Sequence, residues 1–253
     1  MLVPPLLDDL IAGLRQPVHG TAQLAGDGRL TVGVHTTGGP AGWPLLVPGG
    51  RTARHATIVG AAGSGKSVLL RSILAAARTA GVDGQVIDAH EGSLTGLGFP
   101  AACSIAAART VLAEQHELAR HRQATGEHPL RLLLVENLHL LTRDRRCAEQ
   151  VGPLLVDAGP AQIAVIAGTQ LAHRPVFGRP APHPAKSPRS LLTENLVLLR
   201  TGLPLSRVLP VLDDTLSGLD LPDIASQFTD GATTAGIGYL PRRSGLPFRA
   251  WWS

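Results

Sequence analysis

Gly60-Ala61-Ala62-Gly63-Ser64-Gly65-Lys66-Ser67 fits the pattern G-x-x-x-x-G-K-[ST] at every position. Glycines at 60, 63 and 65 let the main chain curl until several N–H groups point at one centre. A helix starting near Gly65 adds the positive end of its dipole. Such a cup takes phosphate without reading a base. Lys66 would reach the β- and γ-phosphates of ATP as a point charge, and the Ser67 hydroxyl would complete the shell of a Mg²⁺ ion. Gly60, Ala61, Ala62, Gly63, Ser64, Gly65, Lys66, Ser67 and Val68 are therefore the candidate nucleotide contacts.

Hydrolysis needs carboxylates as well: one beside the metal, and one to orient the attacking water. The apolar run Leu132-Leu133-Leu134-Val135 ends in Glu136-Asn137. In one register Glu136 is the metal-side carboxylate and Asn137 stands where the base belongs. In the other, Glu136 is the base and Val135 replaces the metal ligand. Either way one carboxylate is missing, so slow hydrolysis or binding without turnover is expected. Asp88 also ends an apolar run, and such an Asp more often caps the segment that follows. Thr169-Gln170 is a polar pair where a γ-phosphate sensor would sit, with Gln170 the candidate and a loop hydrogen bond the competing reading.

These residues need elements to hold them. His55-Ala56-Thr57-Ile58-Val59 reads as a short buried strand feeding the loop, and Val68 to Leu74 as the helix leaving it. Gly84 to Asp88, Leu132 to Val135, Ile163 to Ala167 and Leu196 to Leu199 read as further strands. Helices are expected over Ile105 to Gln123 and Arg145 to Ala158. On the first, Ile105, Ala108, Val111, Leu112, Leu118 and Ala119 form an apolar side, while Arg109, Glu114, Glu117, Arg120 and Arg122 form a solvated one. Apolar strands alternating with helices predict an α/β fold, a mainly parallel sheet covered on both faces, with ligands at the carboxyl ends of the strands. Before this core, Leu30 to Val34 alternates as an edge strand would, and Thr37-Gly38-Gly39-Pro40 marks a turn into Pro44-Leu45-Leu46-Val47. Gly238-Tyr239-Leu240 and Phe248 to Trp251 read as a closing hairpin. Leu6 to Leu14, after Pro4-Pro5, reads as a short amphipathic helix.

Composition sets the limits. With 253 residues, 44% of them hydrophobic, the chain can bury a sizeable core, and disorder is not the default. The net charge of +4 comes almost wholly from arginine, since the only lysines are Lys66 and Lys186. That excess permits an acidic partner such as DNA and does not require one. Cys103 and Cys147 lack C-x-x-C spacing and read as two buried thiols, in keeping with a reducing cytoplasm. Asp8 and Asp9 interrupt the apolar start, so no signal peptide is expected, and no run is long enough to cross a membrane. His173 to Ser190 carries five prolines and basic residues without an acidic one, which reads as an exposed loop able to touch a phosphodiester backbone.

The order of these pieces resembles the FtsK/SpoIIIE family of motor ATPases over roughly residues 30 to 252. The likeness rests on Val32-Gly33-Val34, the strand and loop from His55 to Ser67, Val86-Ile87-Asp88, Leu134-Val135-Glu136-Asn137, Gly168-Thr169-Gln170 and Gly238-Tyr239-Leu240-Pro241. It implies a RecA-like P-loop core with a C-terminal hairpin, ring assembly with copies of itself or a partner ATPase, and ATP-driven movement of DNA. In the EccC-like branch it implies export of polypeptide. By the same likeness Lys66 and Ser67 bind phosphate and Mg²⁺, Glu136 is the metal carboxylate and Gln170 the sensor. The family's Asp-Glu pair is Glu136-Asn137 here, and its Pro-Lys after the second strand is Ala89-His90. The chain then divides into an N-terminal helical segment, residues 1–28, and an ATPase domain, residues 29–253. The alternative is an ATP-binding module, weak or inactive in catalysis, that assembles with a partner ATPase in a type VII-like secretion or transfer complex. A ring would need an arginine from a neighbouring subunit, and Arg143, Arg145, Arg146, Arg200 and Arg207 are the candidates.

Overall fold

The computed structural model describes residues 11–16, 18–90, 92–126, 128–171, 173–177 and 187–251. One sheet runs through them. Its strands are β1 (Gln23–Leu24), β2 (Arg29–His35), β3 (Pro40–Pro44), β4 (Ala56–Val59), β5 (Asp83–Ile87), β6 (Ala101–Ala102), β7 (Arg131–Val135), β8 (Ile163–Thr169), β9 (Asn195–Leu199), β10 (Ile237–Tyr239) and β11 (Pro247–Ala250). In space they lie in the order β1-β2-β11-β10-β9-β4-β8-β7-β5-β6, with β3 on the outside of β2. From β9 to β6 every pairing is parallel. From β9 to β1 every pairing is antiparallel.

The helices are α1 (Lys66–Thr79), α2 (Ile105–Thr125), α3 (Leu138–Leu141), α4 (Arg145–Ala158), α5 (Pro188–Leu192) and α6 (Leu205–Leu212). Successive strand residues point to opposite faces, and both faces are apolar because helices cover both. Along β7, Leu133 and Val135 join the core beneath α2 and α4. Leu132 and Leu134 join the core beneath α1. Side-chain caps set the starts of three helices: Ser104 accepts from the Ala107 N–H, Asp144 from the Cys147 N–H and Ser187 from the Ser190 N–H. Asp144 also receives the Arg109 guanidinium, which holds its carboxyl far below the usual range.

Several expectations need correction. β2 is not an edge strand, because β3 lies on one side and β1 and β11 on the other. Alternation reports which faces are wet and is silent about the edges. Its hairpin partner is Pro40–Pro44, so the expected arm Leu45 to Val47 lies past the strand's end, because the turn already closes with the Gly38 and His35 N–H groups bonding across it. Two prolines then bound a strand whose outer side needs no ladder. Arg122 is not on a solvated face. It is 9% exposed and donates to the Pro129 and Ala161 carbonyls. Cys147 is buried as expected, but Cys103 is exposed at the end of β6.

Of the expected N-terminal helix, residues 1–10 lie outside the described residues, and Ala12–Leu14 is one 3-10 turn. Ile11 and Leu14 are buried in the core. The proline-rich stretch is described only at its ends, as a 3-10 turn at Arg174–Phe177 and as α5. Among the described residues no helix is long and apolar enough to cross a membrane.

Candidate functional site

The loop from Gly60 leaves β4 between the carboxyl ends of β8 and β9, and both neighbours hold it. The Gly60 N–H donates to the Thr169 carbonyl at 3.0 Å and the Ala61 N–H to the Arg200 carbonyl at 2.7 Å. A Cβ at position 60 would stand 2.4 Å from Ser64 Oγ and 3.0 Å from Leu199 Cβ, so any larger residue there must displace both. Gly65, at φ +95°, leads into α1 and lies against a second segment. The Gly236 N–H donates to the Ser64 carbonyl at 2.9 Å, and a Cβ on Gly65 would come within 2.8 Å of the Gly236 nitrogen. The outer rim of the loop thus rests on the turn before β10. Nothing in the spacing around Gly236 announces this contact.

Lys66 is 5% exposed and folds back over the loop, its Nζ donating to the Ala61 carbonyl at 3.1 Å. Ser67, one residue into α1, donates its hydroxyl to Glu136 Oε1 at 2.9 Å. Glu136 is 2% exposed, at the end of β7. Because β8 lies between β4 and β7, this carboxylate must reach past Gly168. A Cβ there would be 3.3 Å from Glu136 Oε2. The absent side chain at position 168 makes the approach possible.

Asn137 follows in the left-handed region, φ 53°, and is 1% exposed. Neither its Oδ1 nor its Nδ2 has a hydrogen-bond partner among the described residues. Gln170 is half-buried just past β8, and its N–H donates to His139 Nδ1 at 3.4 Å. Asp88 is the cap anticipated for it, accepting the Gly92 N–H at 3.0 Å and the Leu94 N–H at 2.8 Å. Val68 is half-buried in the first turn of α1.

The surroundings are cationic. His139 is 7% exposed, and burial first, then Arg143, Lys66, His90 and His173, push its imidazole down to about 4. It is neutral at pH 7. Arg200 braces this chain's own loop, donating from Nη2 to the Ala62 carbonyl at 2.6 Å. Arg143, Arg145, Arg146 and Arg207 are exposed. Neither His139 nor the bracing role of Arg200 was evident from spacing, because each depends on which strand ends meet.

The donor set suits a nucleotide with Mg²⁺. Ser67 and Glu136 present two hard oxygen donors side by side, as a small divalent cation requires. The glycine positions clear a cup of main-chain N–H groups with one ammonium group across it. Among the described residues no group of three or more His, Cys, Asp or Glu side chains could hold a metal ion by itself.

No protein-family model and no curated protein matches the chain. Solved structures do. EccC of Thermomonospora curvata (ATPases 2 and 3, with a signal sequence peptide) is similar over 91% of this chain and 42% of its own, with 17% identity and a TM-score of 0.62. The pCW3 conjugation coupling protein TcpA, solved with ATPγS, is similar over 90% of this chain and 67% of its own, with 17% identity and a TM-score of 0.66. VirB4 of Thermoanaerobacter pseudethanolicus is similar over 91% of this chain and 97% of its own, with 10% identity and a TM-score of 0.58. The chain thus spans less than half the length of the EccC structure. At these identities the likeness is one of fold, the RecA-like P-loop ATPase fold expected from the order of motifs.

Proposed function

We propose that this chain is an ATP-binding subunit of the FtsK/SpoIIIE motor type, whose own site binds ATP with Mg²⁺ and hydrolyses it slowly. The observation that carries the reading is the 2.9 Å bond between the Ser67 hydroxyl and Glu136. It joins the loop helix to the end of β7 at the place where a metal would be shared, and so favours the register in which Glu136 is the metal-side carboxylate. When bound, Mg²⁺ would neutralise phosphate charge and fix the geometry of the phosphate tail.

The chain's own residues supply the rest. Residues 60 to 68 would hold the phosphates through main-chain N–H groups, with Lys66 exchanging its bond to Ala61 for one to phosphate. Gln170 would read the terminal phosphate from the end of β8. Asn137 stands where a base is needed, and an amide can orient water but cannot take its proton. Removing a general base costs about 10² to 10⁴ in rate.

The same observation on Asn137 favours a second reading, in which the chain binds ATP without turnover and assembles with a partner ATPase in a secretion or transfer complex. For the motor reading, DNA is the polymer we propose, and a ring of copies the assembly. Arg143, Arg145, Arg146 and Arg207 are the arginines then available to a neighbouring subunit.

Calorimetric titration with Mg·ATP tests the shared premise: micromolar-scale binding, lost in Lys66→Ala. Phosphate release with and without duplex DNA, alongside sizing with ATP, divides the two readings. A rate that rises with DNA supports the motor and a flat one counts against it. Turnover of many per minute by the isolated wild-type chain eliminates the module without turnover.

A further inference from the structure

Asn137 provides no proton acceptor of its own, yet the next polar side chain along the same turn is buried close by. His139 sits on α3, which packs against β8 and the Arg174–Phe177 turn. Main-chain geometry fixes its ring. The Gln170 N–H donates to Nδ1 at 3.4 Å. The Thr169 hydroxyl lies 3.4 Å from the same nitrogen but gives its own proton to the Leu171 carbonyl at 2.9 Å. Nδ1 is therefore an acceptor, and the ring proton is on Nε2. A neutral imidazole of this tautomer is a donor without being a cation. The carbonyl of the same Thr169 accepts the Gly60 N–H at 3.0 Å, so the imidazole stands at the strand end that holds the root of the phosphate loop.

We propose that His139 is a specificity-determining residue: Nδ1 ties the end of β8 to the turn after β7, and Nε2–H donates to the terminal phosphate of ATP. This contact adds to those of Lys66 and Gln170 in telling ATP from ADP. The inference rests on the proposal that ATP binds at residues 60 to 68. It requires no bond to be made or broken. One donor lost from a charged phosphate oxygen is worth about tenfold or more in affinity.

The experiment is calorimetric titration of the full chain with Mg·ATP and Mg·ADP, for wild type, Lys66→Ala, His139→Asn and His139→Gln. The Asn amide oxygen stands in for the Nδ1 acceptor without reaching the place of Nε2, whereas the Gln amide nitrogen reaches that place. Wild type should prefer ATP by about tenfold or more. His139→Asn should cut the ratio by about tenfold with ADP affinity unchanged, the rest of the preference being left to Lys66 and Gln170, and His139→Gln should keep more of it. A wild type that binds both nucleotides equally overturns the inference. So does an unchanged ratio in His139→Asn, or an equal loss for both ligands. No binding of either nucleotide by wild type sinks the underlying ATP reading instead. If the variants fail to melt cooperatively, ¹⁵N-histidine spectra of wild type decide: the His139 Nε2–H signal should shift with ATP and not with ADP, and the absence of that difference overturns the proposal.

Discussion

Replacing Asn137 with glycine should make the nucleotide-free protein more stable, although it deletes a side chain from the centre of the candidate site. The amide is 1% exposed and neither polar atom has a partner among the described residues. A buried polar group without a partner costs about 1–3 kcal/mol. The backbone at φ 53° adds strain that asparagine tolerates only in part and glycine does not feel. Against this, glycine gives up a buried methylene worth about 0.8 kcal/mol. It also frees the unfolded chain by about 0.5–1 kcal/mol. The balance is a gain of about 1 kcal/mol, or about 2–4 °C in Tm for a chain of this size. Urea unfolding followed by circular dichroism, with a thermal melt in parallel and no nucleotide present, measures both. A loss of stability of about 1 kcal/mol or more would show that the amide is satisfied before any ligand arrives, and would refute the reasoning.

Three further outcomes are expected. Asn137→Glu should raise phosphate release by about tenfold or more by restoring a proton acceptor, and an unchanged rate would show that something else limits turnover. Gly65→Ala should destabilise by about 2 kcal/mol or more in denaturant unfolding, because φ +95° and the approach of Gly236 both exclude a Cβ; a neutral result would mean that the turn before β10 does not rest on the loop. Stability should fall as pH drops from 6.5 to 4. His55 is fully buried, accepts the Val165 N–H at Nδ1 and donates from Nε2 to the Leu155 carbonyl, and burial lowers it to about 4. The unfolded chain therefore takes up a proton in that window while the folded one does not, a contribution on the order of 3 kcal/mol. His55→Gln should flatten that part of the pH profile, and an unaltered slope would assign it to other groups.

The phosphate loop, its strand and its helix were legible because their signals are local: glycines at fixed offsets between two apolar runs. The strands of the parallel core other than the two-residue β6 came through for the same reason, whereas β1 and β6 carry too few residues to signal themselves, and Asp88 capped the following turn as a strand-end aspartate tends to. What stayed hidden depends on partners distant in the chain. Arg122 looked solvated because the helix pattern cannot show that the Pro129 and Ala161 carbonyls converge on it. The choice between the two registers of Glu136 and Asn137 could not be made from spacing, and it is the contact with Ser67, 69 positions away, that favours one of them. His139 carries no signal of its own within the apolar run Leu138 to Leu141. Its importance follows from the meeting of that turn with the end of β8.

The sheet's antiparallel flank has a consequence for how the molecule is made. β2 reaches the parallel strands only by way of β11 and β10, and His35 bonds to Pro247 across 212 positions. Residues 23 to 44 must therefore wait on the ribosome, with β2 lacking its β11 neighbour, until residues 237 to 250 have been synthesised. The turn that supports Ser64 belongs to the same late-made segment. A nascent chain is thus denied a finished phosphate cup until residues 236 to 250 exist, which delays nucleotide capture until that segment has been made.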